Sequence, residues 1–255
     1  MLVVTYNKEQ REIYRNSKSL LTDGMTNRWS EFSQFLNISA VNDSLAGELA
    51  KLRAEQDEAK FRNFIQADSV KDIRNNFIQQ YTYIAARVVD NTTNLPNNFL
   101  ILDKGISHGV DDRLGVYDDN GIVGIVVSAN KYYSKVMSIL HRDSKISVQI
   151  ERNKAFGTLV WENIANPTIM EMKYVSDHLD IRVGDQVETS GFSTHFPEKI
   201  PVGKVIEVSE QKDGSGYRKI KVKISNDLNT TRYVYVVKNL LKEAFIDIKE
   251  AEVNE

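Results

Sequence analysis

The chain has 255 residues, 41% hydrophobic and 27% charged, a composition ordinary for a folded globular protein with a sizeable core. Its formal charge of −2 lacks the strongly basic balance that marks nucleic-acid binders. The absence of cysteine excludes disulfides, thiolate metal sites and a thiol nucleophile.

No apolar run approaches the roughly 20 residues needed to cross a bilayer. Met1-Leu2-Val3-Val4 is a short apolar start followed directly by polar sequence. It reads as a plain terminus or as the stub of a membrane anchor. From residue 5 to about 80 there is no proline, glycine occurs only at Gly24 and Gly47, and Lys, Arg, Glu, Gln, Asn and Leu abound. Propensity and the lack of breakers predict a helical region, 1–80.

Its clearest part has a heptad register. Phe35, Asn42, Leu49 and Gln56 fall at a; Ile38, Leu45, Leu52 and Ala59 fall at d. Polar Asn42 and Gln56 within an apolar seam suit a coiled coil, where a buried polar a position selects register and oligomer state. The expectation is a dimer through this seam. Two good heptads also suit a single amphipathic helix lying on its own domain.

From Tyr81 the period changes. Ile84 to Val89, Phe99 to Leu102, Leu114 to Tyr117, Ile122 to Val127, Lys135 to Leu140, Ile146 to Glu151, Phe156 to Trp161 and Ile169 to Tyr174 read as short strands. Turn residues separate most of them. Arg182 to Val208 then reads as strand, loop, strand. Ser190-Gly191 breaks its first strand, and Phe196-Pro197 and Ile200-Pro201 bracket the loop. Tyr217 to Ile224 and Tyr233 to Val237 follow. Short strands at even spacing without intervening helices predict small barrels or sandwiches. The fold class expected is mainly β with an N-terminal α-helix: a coiled-coil helix followed by two small six-stranded β-barrels. The first barrel is assigned to 81–154, completed by 217–240, and the second to 155–216, with the break near Arg152 to Ala155. The charged tail 241–255 is expected to fray.

No catalytic or metal site emerges. His108, His141, His178 and His195 have no spacing that places two imidazoles on one metal. Asp185, Glu188 and Ser190 lie near His195 in sequence, but triads are assembled across a fold, and Ser190-Gly191 lacks the glycine-flanked elbow of a nucleophilic serine. Gly121-Ile122-Val123-Gly124 lies between strands rather than before a helix, so it is no phosphate loop. Asn91-Thr92-Thr93 and Asn229-Thr230-Thr231 match the glycosylation pattern and are read as turns. The positive signal is aromatic. Phe192, His195 and Phe196 crowd the long loop, and Tyr233 and Tyr235 share one strand face. These five form the candidate partner face; the alternative is that they fill or cap a small barrel.

Several blocks together resemble the MreC family of bacterial rod-shape determinants. They are Asn42, Leu45, Leu49 and Leu52 on the helix; Asp103, Gly105, Gly109 and Val110; Gly121 to Gly124 with Val126; and Phe156-Gly157-Thr158-Leu159 with Trp161. The most specific are Val183-Gly184-Asp185-x-Val187-x-Thr189-Ser190-Gly191 and Phe196-Pro197-x-x-Ile200-Pro201-Val202-Gly203-x-Val205. Glu188 departs from the family, which is more often apolar or small there, and Glu198-Lys199 stands where glycine is common.

The resemblance implies a non-enzymatic periplasmic scaffold of cell-wall elongation without cofactor. It implies one membrane anchor, a dimerising helix and two β-barrels, loosely like trypsin-like double barrels without a triad. Implied partners are MreB, MreD and class B penicillin-binding transpeptidases, with filaments as a further self-association. The alternatives are an adaptor of a periplasmic efflux or secretion assembly, or a double-barrel serine hydrolase.

Overall fold

The computed structural model describes residues 41–55, 60–62, 77–209 and 216–241. Phe35, Ile38, Gln56, Ala59, the first forty residues and the tail from 242 lie outside the described residues. Among the described residues one α-helix, α1, covers 41–55. The expected helical region up to 80 is corrected in part. Strands β1 (Lys60–Arg62) and β2 (Phe77–Gln79) pair antiparallel, with Phe61 opposite Ile78. Phe61, Phe77 and Ile78 are aromatic or β-branched residues that favour strands, and lack of proline does not override that preference.

Twelve further strands close into two barrels. The first is ordered β14-β3-β4-β7-β6-β5 and the second β10-β13-β12-β11-β8-β9. The first uses β3 (Tyr81–Asn91), β4 (Asn97–Leu102), β5 (Gly115–Tyr117), β6 (Ile122–Ala129), β7 (Ser134–His141) and β14 (Tyr233–Asn239). The second uses β8 (Ile146–Ile150), β9 (Phe156–Val160), β10 (Ile169–Ser176), β11 (Gln186–Ser190), β12 (Glu198–Val208) and β13 (Tyr217–Ile224). The architecture expected from the sequence, a helix and two six-stranded barrels, is therefore the one observed.

Alternation explains the strands. Along β13, Ile220, Val222 and Ile224 are buried while Lys219, Lys221 and Lys223 are exposed, the period-two pattern of a barrel wall. Val148, Leu159, Met170, Met172, Ile220 and Val222 fill the second barrel, and Leu100, Leu102, Val116, Val126, Val136 and Val236 fill the first. Trp161 is fully buried, and its Nε1–H donates to the Asn166 carbonyl at 3.2 Å. Closure leaves neither barrel an open edge to aggregate.

The boundary expected near Arg152 to Ala155 is corrected. Those residues form the tight turn of the β8–β9 hairpin, with Gln149 opposite Phe156, and Lys154 takes the left-handed φ of +56°. The chain changes barrels earlier, between His141 and Ile146. The assignment of 217–240 to the first barrel is corrected as well. Tyr217–Ile224 pairs with β10 and β12 inside the second barrel, and only β14 returns to the first. The whole second barrel is thus an insertion between β7 and β14. What strand spacing could not reveal is which barrel Tyr217–Ile224 joins, because either assignment leaves the alternation along the strand unchanged.

Pro201 lies inside β12 rather than in a loop. It stands opposite Glu188 where the β11–β12 register shifts. A residue without an N–H fits a strand only at such an irregularity or an edge.

Candidate interaction surfaces

Helix α1 has two unlike faces. Leu45, Leu49 and Leu52 of the seam are exposed, as is Asn42. Ala50, on another face, is buried and belongs to the core cluster. One turn further on, Arg53 lies over the ring of Tyr235, 4.0 Å from its centroid, and over Tyr117 at 5.4 Å. Its Nη2 reaches Asp119 Oδ1 at 2.5 Å. The small Ala50 lets the helix approach closely, and the flat guanidinium covers two phenol rings. Burial raises the Tyr117 hydroxyl pKa above its ordinary range, opposed by the charge of Arg53.

This corrects Tyr235 as a partner-facing residue. It is 4% exposed, because Arg53 and the ring of Tyr117, 5.7 Å away, cover its strand face. Tyr233, two residues earlier, is only half-buried.

The long loop 191–197 between β11 and β12 divides its aromatic residues. Phe192 is 68% exposed and meets exposed Phe156 edge-on, with centroids 5.8 Å apart. Phe196 is 1% exposed, which corrects it as a partner-facing residue. It packs where the loop meets β5 of the first barrel. A Cβ on Gly115 would lie 2.2 Å from the His195 carbonyl oxygen and 2.7 Å from the Phe196 ring. His195 is partly buried in the same seam, and its Nδ1–H donates to the Arg113 carbonyl at 2.8 Å. Gly121, at φ +151°, admits the Pro201 carbonyl, whose oxygen would lie 2.6 Å from an added Cβ. Only glycine leaves room for these backbone approaches.

The loop is braced from within. Thr189 Oγ1 donates to the Pro197 carbonyl at 2.6 Å and accepts from the Ile200 N–H at 2.9 Å. Across the junction, Asp118 Oδ1 accepts from the Asn120 and Gly121 N–H groups and from Asn226 Nδ2 at 2.8 Å. Asp118 Oδ2 accepts from the Thr231 hydroxyl at 3.3 Å. A buried carboxylate with several donors is a well-satisfied brace. Asn226 and Thr231 belong to the segment that carries the chain back from β13 to β14. Beside it opens a cleft of about 520 Å³, lined by Arg53, Tyr83, Tyr117, Asp119 and residues 197–201.

The residues that could form a serine hydrolase site are committed elsewhere. The Ser190 hydroxyl meets the Ser147 hydroxyl at 2.8 Å. Asp185 receives two hydrogen bonds from Arg152, and these, with the Arg182 N–H, hold its carboxyl below the usual range. Glu188 binds Lys154 Nζ at 2.7 Å and Gln149 Nε2 at 2.8 Å. Gln149 also donates to Glu198, whose carboxyl is lowered by that bond and then by Lys154. His141 is buried against Phe99, and His178 lies beside Asp177. Among the described residues, no three His, Cys, Asp or Glu side chains are grouped to hold a metal ion. No helix among them is long and apolar enough to cross a membrane.

The two departures noted in the sequence have structural places. Glu188 joins the Lys154–Gln149–Glu198 network. Lys199 takes a φ of +73°, the conformation glycine adopts without strain.

Residues 88–238 match the family model described as "Rod shape-determining protein MreC, barrel core". The chain belongs to the MreC family. The matched span begins within β3 and ends within β14, so it takes in the inserted barrel and the return strand that completes the first. The cell shape-determining protein MreC of Escherichia coli (strain K12) is 29% identical over 150 residues, covering 58% of this chain and 40% of that protein. The chain spans less than two thirds of the length of the curated relatives it matches. The crystal structure of MreC from Pseudomonas aeruginosa is 28% identical, with a TM-score of 0.55, covering 61% of this chain and 98% of that one. An MreC from Helicobacter pylori, described in a complex with penicillin-binding protein PBP2, is 20% identical with a TM-score of 0.51. The two share 63% of this chain and 99% of that one, and the likeness is of fold. The relatives are named for cell shape and not for a reaction.

Proposed function

We infer that this chain is a non-enzymatic scaffold of bacterial cell-wall elongation on the periplasmic side of the inner membrane. Helix α1 pairs two copies through Asn42, Leu45, Leu49 and Leu52, and the barrels present faces to a class B penicillin-binding transpeptidase. Links to MreD and MreB run through the membrane anchor and the cytoplasmic end that the resemblance implies. The observation that carries the reading is the barrel-core match over 88–238, joined to a relative of the same fold described with PBP2. Of the candidate partner face, Phe192 with its neighbour Phe156 is the part free to meet a partner. Exposed aromatic residues braced by a stiff loop are the kind of group that anchors interfaces.

The test is binding of the 255-residue chain to the periplasmic portion of the cognate transpeptidase by surface plasmon resonance. Phe156→Ala with Phe192→Ala is expected to weaken binding at least about tenfold, the effect of losing an aromatic anchor. No binding by the wild-type chain would sink the scaffold reading. Unchanged binding by the double variant would move the face away from the loop.

A further inference from the structure

The outer wall of the second barrel carries a lysine ladder. Strand β13 turns Tyr217, Lys219, Lys221 and Lys223 outward, and Lys204 of β12 stands directly opposite Lys223. Like charges opposed across antiparallel strands repel and destabilise a sheet. Lys221 is offset by Glu207 at 2.9 Å. Lys204, Lys219 and Lys223 have no carboxylate partner among the described residues. The chain as a whole is slightly acidic, so this cluster does not merely reflect a basic composition.

An aromatic pair ends the ladder. A register shift in β10 between Met172 and Val175 throws Tyr174 outward at a φ of +61°, a strained value for a residue with a side chain. Its exposed ring meets that of Tyr217 edge-on, 6.1 Å between centroids. These groups lie on the convex wall of a closed barrel, not in a groove that could take in a peptide backbone. A broad anionic plane fits that shape. Lysine ammoniums on long apolar stems, with tyrosines beside them, are the side chains that settle at the headgroup level of a bilayer.

We propose that this face of the second barrel docks on an anionic phospholipid surface, with Lys204, Lys219 and Lys223 among the phosphates and Tyr174 and Tyr217 at headgroup depth. The lysine ladder on β12 and β13 is independent of the helix seam and of the Phe156–Phe192 pair, so this docking stands or falls apart from the transpeptidase reading.

The test is co-sedimentation of the 255-residue chain with vesicles of phosphatidylcholine alone, or of phosphatidylcholine with about one third phosphatidylglycerol. Binding is expected only to the anionic vesicles and is lost in 1 M salt, where screening acts within about 3 Å. Each lysine near such a surface strengthens binding about fivefold, so Lys204→Gln/Lys219→Gln/Lys223→Gln weakens it about a hundredfold and the Glu triple more. Lys104→Gln/Lys131→Gln/Lys145→Gln, the same charge change elsewhere, leaves it within about threefold. Melting curves show that each variant is folded. Equal losses in both triples, or no preference for anionic vesicles, overturn the proposal. Ladder-dependent binding to heparin without binding to vesicles also overturns it, in favour of a soluble polyanion.

Discussion

The guanidinium of Arg53 stacks on the ring of Tyr235, joining helix α1 to the last strand of the first barrel. The same side chain meets Asp119, but that carboxylate is two-thirds exposed, and exposed ion pairs contribute little. The stacked, largely buried contact is the stronger. Arg53→Ala is therefore expected to lower the free energy of unfolding by about 1–2 kcal/mol, and Asp119→Asn by less than about 1 kcal/mol. Urea unfolding of both variants measures the difference. Equal losses would put the ion pair in control.

Phe192 and Phe196 lie four residues apart and face opposite fates. Truncating a fully buried aromatic ring removes its burial and leaves a cavity. Phe196→Ala should cost about 3–5 kcal/mol, while Phe192→Ala stays within about 0.5 kcal/mol. The contrast is read from unfolding midpoints under one condition. A large loss from Phe192→Ala would place its ring in the folded core.

The junction of the barrels depends on the missing Cβ of Gly115. Its neighbour would be the His195 backbone oxygen at 2.2 Å, which no rotamer change can move aside. Gly115→Ala is expected to destabilise by about 1–3 kcal/mol and to enlarge the scattering radius as the barrels part. Gly47→Ala is the contrast. It sits in α1 with nothing near the added methyl and should stabilise by up to about 1 kcal/mol through helix propensity alone.

Much of this architecture was legible in the sequence, for identifiable reasons. Alternation along 217–224 and 233–237 marks barrel walls, because one face is core and the other is not. What alternation cannot carry is which barrel a strand joins. Tyr217–Ile224 therefore reads as a wall of the first barrel, whereas its pairing with β10 and β12 puts it in the second. Tyr235 reads as partner-facing for a related reason: β14 is covered on both faces, and its outer cover, Arg53, lies far away in sequence. Phe192 and Phe196 differ only in whether the first barrel packs over them, a tertiary fact with no local signal. Gly115 offers a usable hint, since a glycine inside a strand pattern often marks close backbone approach. The Lys204–Lys223 opposition depends on the β12–β13 register, which only the fold supplies.

Acid should act on the Asp185 brace. The Arg152 hydrogen bond holds this carboxyl below its ordinary value of 3.8. A carboxylate with a depressed folded pKa contributes stability that is fully present above its unfolded value and is lost as pH falls through the folded one. Stability is therefore expected to be insensitive to Asp185 at neutral pH and to fall as pH drops below about 4. Asp185→Asn flattens that part of the acid limb in pH-dependent urea unfolding. An unchanged acid limb would show that the Arg152 contact contributes nothing in solution.

The final prediction concerns the seam of α1. Leu45, Leu49 and Leu52 are exposed in the single chain, and Ala50 and Arg53 already attach the helix to its own domain. The helix can therefore lie on its barrel and still offer its leucines to a second copy. Each leucine buried there contributes about 1.5–3 kcal/mol before association costs. A seam of about two heptads is shorter than a robust coiled coil, so association should be weak and strongly concentration-dependent. Sedimentation velocity is expected to show a dimer fraction that rises with concentration for the wild-type chain. Leu45→Asp with Leu49→Asp should remain monomeric at every concentration. The substitutions fall on exposed positions, so the unfolding free energy of the monomer should be unchanged within about 0.5 kcal/mol. That separates a lost interface from a damaged fold. A wild-type chain that stays monomeric at the highest soluble concentration removes the seam, and the exposed leucines then need another occupant.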